Sequence, residues 1–271
     1  ALIWSRAARF SAQARQNQNG QPPLLHADDL GLSQGVDAAI LDLAQSGRLQ
    51  GASLLVNGPS AAAAVEAWHD LADPPPLTLH LCLTEGHRLP NCPDLPTGFG
   101  RLLLASLLPW QRRRIAPQLR TVLLQQISRY RQLTGLRQIR LDGHQHIHLV
   151  PLVLDAVLDL ARSESITWVR TTREPLPEGL SLKLWWRSLQ TGGLIKWLVL
   201  QLLSGLAIPR LRRAGLQTNR RFAGVLFSDS MFGTEFRRSW ITAHSPNTTH
   251  PDEKTIAPIQ SDLLRPHRPW I

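Results

Sequence analysis

Short apolar runs alternate along the first part of the chain with segments whose apolar residues recur every three or four positions, a pattern that predicts strands and helices in turn. Leu24-Leu25-His26-Ala27 reads as a short buried strand closing at Asp28-Asp29. Gly31-Leu32-Ser33 follows, with Ser33 placed to cap a helix from Gln34 to Ser46. That helix carries Val36, Ile40, Leu43 and Ala44 at a helical period, and Gly47 ends it. The unit then repeats. Gly51 to Val56 is strand-like, Gly58-Pro59 a turn and Ser60 to Leu71 a helix, and Pro74 to Pro76 precede a third strand, Leu77 to Leu83. A loop rich in Pro and Gly spans Thr84 to Phe99. Beyond it come a helix over Arg114 to Leu133, a strand over Gln138 to Asp142, a helix over Pro151 to Ser163 started by proline, and a strand over Ile166 to Arg170.

Strands alternating with helices imply a mostly parallel sheet in an α/β fold, either a barrel or a doubly wound layer. Chemistry in such folds sits at the C-terminal ends of the strands. Asp28 and Asp29, His80, and Asp142 to His148 all fall at or just beyond such ends, so three separate segments place metal-type ligands on one face. After about Thr171 the alternation fades. Trp185-Trp186, an apolar stretch from Leu194 to Ile208 and the Arg-rich run Arg210 to Arg221 predict a helical region, with Phe222 to Ser228 as a late strand. Residues 1–21, polar and Gln-rich, read as a poorly ordered leader, 22–232 as one catalytic domain, and 233–271 as an irregular tail of non-native character.

Composition narrows this little. The 271 residues are 43% hydrophobic and 18% charged, which suits a folded globular chain. A net charge of +10 raises the question of nucleic acid, but the basic residues are mostly scattered arginines with no aromatic-interleaved stripe, so no nucleic-acid partner is expected. Two cysteines, Cys82 and Cys92, are too few for a disulfide scaffold and point to free thiols in a reducing cytoplasm. No signal peptide is read at the N-terminus. Leu194 to Ile208 is shorter than the ~20 residues a spanning helix needs and is interrupted by Lys196 and Gln201. It is expected as a buried or interface helix, with peripheral contact at a membrane surface as the minor alternative. The oligomeric state is open, with a homodimer as the candidate.

The candidate chemistry rests on a few residues. His144, His146 and His148 follow a strand directly, and neutral imidazole is the commonest ligand for divalent transition metals. Asp142 stands where it could accept a ring N–H and fix a tautomer. Two adjacent carboxylates, Asp28 and Asp29, end an apolar strand, where burial is costly unless they are paired or on a metal. Neighbouring carboxylates at a strand end usually point apart, leaving one to bind metal and the other to handle protons. His80 interrupts a strand otherwise apolar at Leu77, Leu79, Leu81 and Leu83. One Asp and two His around an ion leave positions open for water and substrate, where the ion lowers the pKa of water and polarises a carbonyl. This is the chemistry of amide or ester hydrolysis.

At these residues the sequence resembles the YdjC-like carbohydrate deacetylase family. The matching segments are His26-Ala27-Asp28-Asp29-Leu30-Gly31-Leu32-Ser33, Gly51 to Gly58, Leu79 to Gly86, and Leu141-Asp142-Gly143-His144-Gln145-His146-Ile147-His148 with Pro151 after it. The resemblance covers roughly Leu24 to Arg170, with a weak echo at Phe222 to Ser228. It implies a distorted (β/α) barrel, similar to a TIM barrel, that removes acetyl groups from N-acetylated sugars with a divalent metal, Mg²⁺ foremost and Zn²⁺ or another transition metal next. It implies Asp29, His80 and His144 as the metal ligands and Asp28 as the general base, with His146 as the alternative ligand to His144. Two features depart from the family. A Glu usual in the helix before the His cluster is replaced at or near Val122, and the His-Pro-Gly that usually follows a late strand has only His250-Pro251-Asp252 as its counterpart. The function expected is deacetylation of an N-acetylated sugar in the cytoplasm. The alternatives are an inactive sugar-binding or membrane-associated homologue and a metal-dependent phosphoesterase.

Overall fold

A computed structural model describes residues 25–84, 89, 90, 92–96, 98–176 and 182–226. Five parallel strands form one sheet in the order β1-β2-β3-β4-β5: β1 His26–Leu30, β2 Gly51–Leu54, β3 Leu77–Leu81, β4 Ile139–Gly143 and β5 Ile166–Val169. Each strand pairs with its neighbour in sequence, so every crossover advances the sheet the same way. That is the winding of a barrel, and the doubly wound alternative, which needs a reversal of strand order, is excluded for these strands. Gln217 makes an isolated parallel bridge with Trp168 and extends the sheet past β5.

The sheet is rolled. Four strand spacings of a flat sheet would separate β1 from β5 by about 19 Å. Yet Arg170, the residue after β5, donates from Nη1 to Asp28 of β1 at 2.8 Å. The curl brings the C-terminal ends of first and last strands to one polar centre.

The pleat sorts the side chains. Ser53 pairs with Thr78 and His80 with Asp142, and these polar residues share the inner face. Leu54, Leu79, Leu81 and Leu141 are fully buried. Outside lie α1 Gln34–Gln45, α2 Ala61–His69, α3 Phe99–Leu107, α4 Pro109–Thr134 and α5 Pro151–Ala161. The Ser33 hydroxyl accepts from the Val36 N–H and caps α1. The α4 helix is joined to the end of β3 by Gln126, whose side chain bonds both backbone groups of Cys82 at 3.0 and 2.6 Å. The turns after β1 and β2 interlock at two glycines. A Cβ on Gly58 would stand 2.0 Å from the Gly31 carbonyl oxygen, and Gly31 itself has φ of +94°.

Several expectations need correction. The loop read over Thr84 to Phe99 ends in a helix, α3, that was not foreseen, and α4 begins at Pro109 rather than Arg114, carrying Pro117 within it. The apolar stretch belongs to a longer helix, α7 Gly193–Arg213, of 21 residues, preceded by α6 Leu182–Gln190. The best window of α7 has a mean hydropathy of 1.4, long and apolar enough by composition to cross a membrane, with 28% of that window buried. Leu200, Leu203, Ala207 and Leu211 face the domain, and the Ser204 hydroxyl accepts from the Thr172 backbone N–H and bonds the Thr172 hydroxyl. Residues 222–226 form no strand; the strand-like contact lies earlier, at Gln217. The expected leader, the tail from 233 and His250 lie outside the described residues.

Candidate metal centre and active site

The site begins with an irregularity in β1. Ala27 pairs with Ala52 and Leu30 with Leu54, so three steps along β1 match two along β2, and the surplus residue falls at Asp28-Asp29. A bulge of this kind breaks the two-residue alternation and re-aims a side chain. Asp29 takes the left-handed conformation, φ 68°. Both adjacent carboxylates therefore reach the same polar centre from different directions.

Asp29 faces two histidines. Its Oδ1 lies 2.7 Å from His144 Nδ1 and 3.2 Å from His80 Nε2. One ligand atom from each of these three residues lies within 4.8 Å of the others. The far nitrogen of His80, Nδ1, donates to Asp142 Oδ1 at 2.6 Å. That bond leaves Nε2 as the nitrogen turned to Asp29, the carboxylate-histidine arrangement that orients a metal ligand. Burial alone would lower the His80 pKa, but the carboxylates of Asp142, Asp29 and Asp28 outweigh it and raise it to about 10. Burial would raise Asp29, yet the bonds from His144 and His80 hold it well below the usual carboxylate range.

Asp28 faces the other way. Arg170 Nη1 donates to both of its oxygens, at 2.8 and 2.9 Å, and Arg170 Nη2 lies 2.7 Å from Asp142 Oδ2. Ser53 donates to Asp142 Oδ2 at 2.5 Å and bonds His26 Nε2 at 2.7 Å. Asp142 is fully buried; burial would raise it, and Arg170 and His80 hold it ionised. Asp28 is likewise lowered, by Arg170 and His80 against the effect of burial. His26, Asp28 and Asp142 form a second trio with ligand atoms in mutual reach, but Arg170 already supplies its cation.

The three clustered histidines have separate fates. They lie on a 3₁₀ turn, His144–Leu149, in which Gln145 and His146 both have positive φ, 53° and 58°. Non-glycine residues in that region cost of order 1 kcal/mol each and are held only by their surroundings. The twist sends His144 to Asp29. It buries His146 edge-on against Phe222, with Nδ1 unpartnered, and bonds His148 Nε2 to the Arg170 carbonyl at 2.8 Å. Of His144 and His146, it is His144 that stands with Asp29 and His80.

Three participants lie outside the site residues expected from the sequence: Arg170, Ser53 and His26. Arg170 had a visible signal, a cation at the C-terminal end of a buried strand. Ser53 and His26 had little, because a serine and a histidine in short apolar runs are ordinary core residues. A cavity of about 490 Å³ lined by Cys92, Pro93, Pro117, Gln118 and Thr121 includes none of these groups.

The model of the YdjC family, described as YdjC-like protein, matches residues 24–263. A mouse protein named carbohydrate deacetylase is 32% identical over 176 residues, 59% of this chain and 52% of its own length. A human protein of the same name is 31% identical over 176 residues, 59% of this chain and 50% of its own. The chain thus spans about half the length of the curated relatives it matches. A solved structure from Enterococcus faecalis V583, whose proposed role is cellobiose-phosphate cleavage, overlays with a TM-score of 0.42 at 16% identity, covering 72% of this chain and 95% of that one. That overlay is too loose to carry an argument.

Proposed function

The chain belongs to the YdjC-like family, and on that premise we propose that it is a divalent-metal-dependent hydrolase that removes acetyl groups from N-acetylated sugars. The reading is supported by two similar proteins that bear the name carbohydrate deacetylase. The observation that carries it is the trio Asp29, His80 and His144, with His80 Nδ1 committed to Asp142 so that Nε2 is offered to an ion. The charges fit as well. Asp28 and Asp142 hold the one guanidinium, Arg170, between them, and Asp29 with two imidazoles offers an anionic pocket to a divalent cation, which would displace the His80 proton. Mg²⁺ is the ion proposed, although two imidazoles beside a single carboxylate also suit Zn²⁺.

When bound, the ion supplies Lewis acidity toward the acetamide carbonyl and acidity to water. The chain's own residues do the rest. Asp29, His80 and His144 would hold the ion, and Asp142 sets the His80 tautomer. Arg170 keeps Asp28 as a carboxylate on the open side of the site, where it receives the proton as water adds to the carbonyl. The phosphoesterase alternative is disfavoured because the one guanidinium of this cluster is already committed to Asp28 and Asp142. The inactive-homologue alternative is disfavoured because the ligand trio and Asp28 are all present together.

The decisive measurement is acetate release from chitin-derived oligosaccharides by the purified chain, before and after chelation and after readdition of Mg²⁺ or Zn²⁺. Turnover should disappear with the metal and return with it. Undiminished turnover in a metal-free protein would reject metal dependence. No acetate from any N-acetylated sugar by a chain holding one ion would reject the substrate class.

A further inference from the structure

Among the described residues the α-helices divide by charge. The α3, α4, α6 and α7 helices contain no Asp or Glu and carry thirteen Arg or Lys: one on α3, six on α4, two on α6 and four on α7. The α1, α2 and α5 helices contain only acids, Asp37, Asp42, Glu66, Asp155 and Asp159, with no Arg or Lys. The same four basic helices also hold nine of the twelve exposed large apolar residues among the described ones. On α7 these fall at Ile195, Leu198, Leu202 and Leu206, one stripe at helical spacing, each more than half exposed.

These helices are grouped around α5. The α5 helix packs against α3, α4 and α7, and α6 packs against α7. Asp155 of α5 is gripped by Arg112 from the first turn of α4 and Arg210 from the last turn of α7. Leu107 and Trp110, both about two-thirds exposed, thus sit at the α4 end of this bridge, and Leu206 lies one turn before Arg210. Asp155 is neutralised within the bridge, which leaves Asp159 as the exposed acid of α5.

A solvated face would be charged without the apolar stripe, and a protein interface between two copies would set the same surplus of Arg and Lys against itself. An anionic bilayer answers both features: cationic side chains meet lipid headgroups while leucine and tryptophan enter the boundary beneath them. We propose that the side formed by α3, the start of α4, α6 and α7 docks on a membrane surface of anionic phospholipid, with α7 lying in the interface rather than crossing it. The buried face of α7, with Leu200, Leu203, Ala207 and Leu211, stays on the domain throughout.

The test is flotation of the full chain with phosphatidylcholine vesicles, with and without phosphatidylglycerol, paired with sedimentation velocity of the chain alone. The chain should float with the anionic vesicles only, and high salt should release most of it. Leu202→Asp with Leu206→Asp should weaken binding at least roughly tenfold, from the apolar area lost. Arg212→Ala with Arg213→Ala should weaken it roughly thirtyfold. Both double variants should keep the melting temperature of the parent, since all four side chains are exposed. A chain that ignores anionic vesicles overturns the proposal. If it is then a dimer that Leu202→Asp with Leu206→Asp disperses, the occupant is a second copy. If it is a monomer whose α7 amides already resist exchange, the occupant is the chain's own 227–271 segment.

Discussion

Two neighbouring groups at the strand ends are built from the same residue types. Asp29, His80 and His144 form one, and His26, Asp28 and Asp142 the other, with Asp142 touching both through its two oxygens. In the first, the positive charge is the proton that the carboxylates hold on His80, which an arriving ion would displace, and no guanidinium lies among the ligands. In the second, Arg170 lies on both carboxylates. A histidine-carboxylate trio is therefore a cation site only where no guanidinium has already filled it. The charge present in the folded chain decides between ion binding and proton handling, and ligand type alone does not.

The largest effect should come from the first group. His80→Ala removes the ligand whose orientation the rest of the cluster enforces, and it should lose both the ion and all measurable turnover, read by metal content and acetate release. An alanine variant that still holds one ion per chain would dissolve the distinction between the two groups. Asp28→Asn should come next. It should retain the ion and lose about 10²–10⁴-fold in turnover, the usual contribution of a general base. If turnover survives in the metal-loaded variant, the second group is structural and the base lies elsewhere.

Arg170→Met tests what the guanidinium does. It leaves Asp28 and Asp142 without their cation, and removal of one partner of a buried pair costs about 3–5 kcal/mol, measurable by urea unfolding. The pH dependence should move with it. Both Asp28 and Asp142 are lowered from the ordinary carboxylate value of 3.8, so their contribution is full above that value and is lost as pH falls through the folded values. The parent should therefore resist acid to below pH 3.8, and Arg170→Met should unfold at a higher pH than the parent. Coincident acid transitions would show that the carboxylates are held by something else. The smallest effect should be that of Asp142→Asn, about 10–100-fold in metal affinity through the lost orientation of His80. Competition with a chelator of known affinity reads it directly.

Much of this was legible beforehand because it follows from local pattern. The βα units up to β5 show in the alternation of Leu, Ile and Val runs with helical spacing, and Ser33 and Pro151 mark helix starts as they should. The ligand segments stand at strand ends by simple position. What was hidden depends on distant partners. The role of Arg170 appears only when the sheet rolls and brings β5 to β1. Ser53 needs Asp142, 89 residues away, to acquire a function. The fates of His144, His146 and His148 turn on the positive φ of Gln145 and His146, which no residue type there announces. The α3 helix was concealed because Gly98, Phe99 and Gly100 read as the end of a loop, although Leu102 and Ala105 beyond them are buried.

The surplus residue in β1 also makes the paired carboxylates a matter of chain length. Ala27 and Leu30 keep their partners on β2 whether two residues or one stand between them, since Ala52 and Leu54 are separated by Ser53 alone. Deleting one residue there would restore a regular ladder without disturbing either flanking pair, Ala27 with Ala52 or Leu30 with Leu54. The strand would keep one inward-facing carboxylate and one set of contacts, either with Arg170 or with the histidines. The ion holder and the proton acceptor would collapse into a single side chain, with no substitution made. In this fold a single codon of length separates a divided active site from an undivided one.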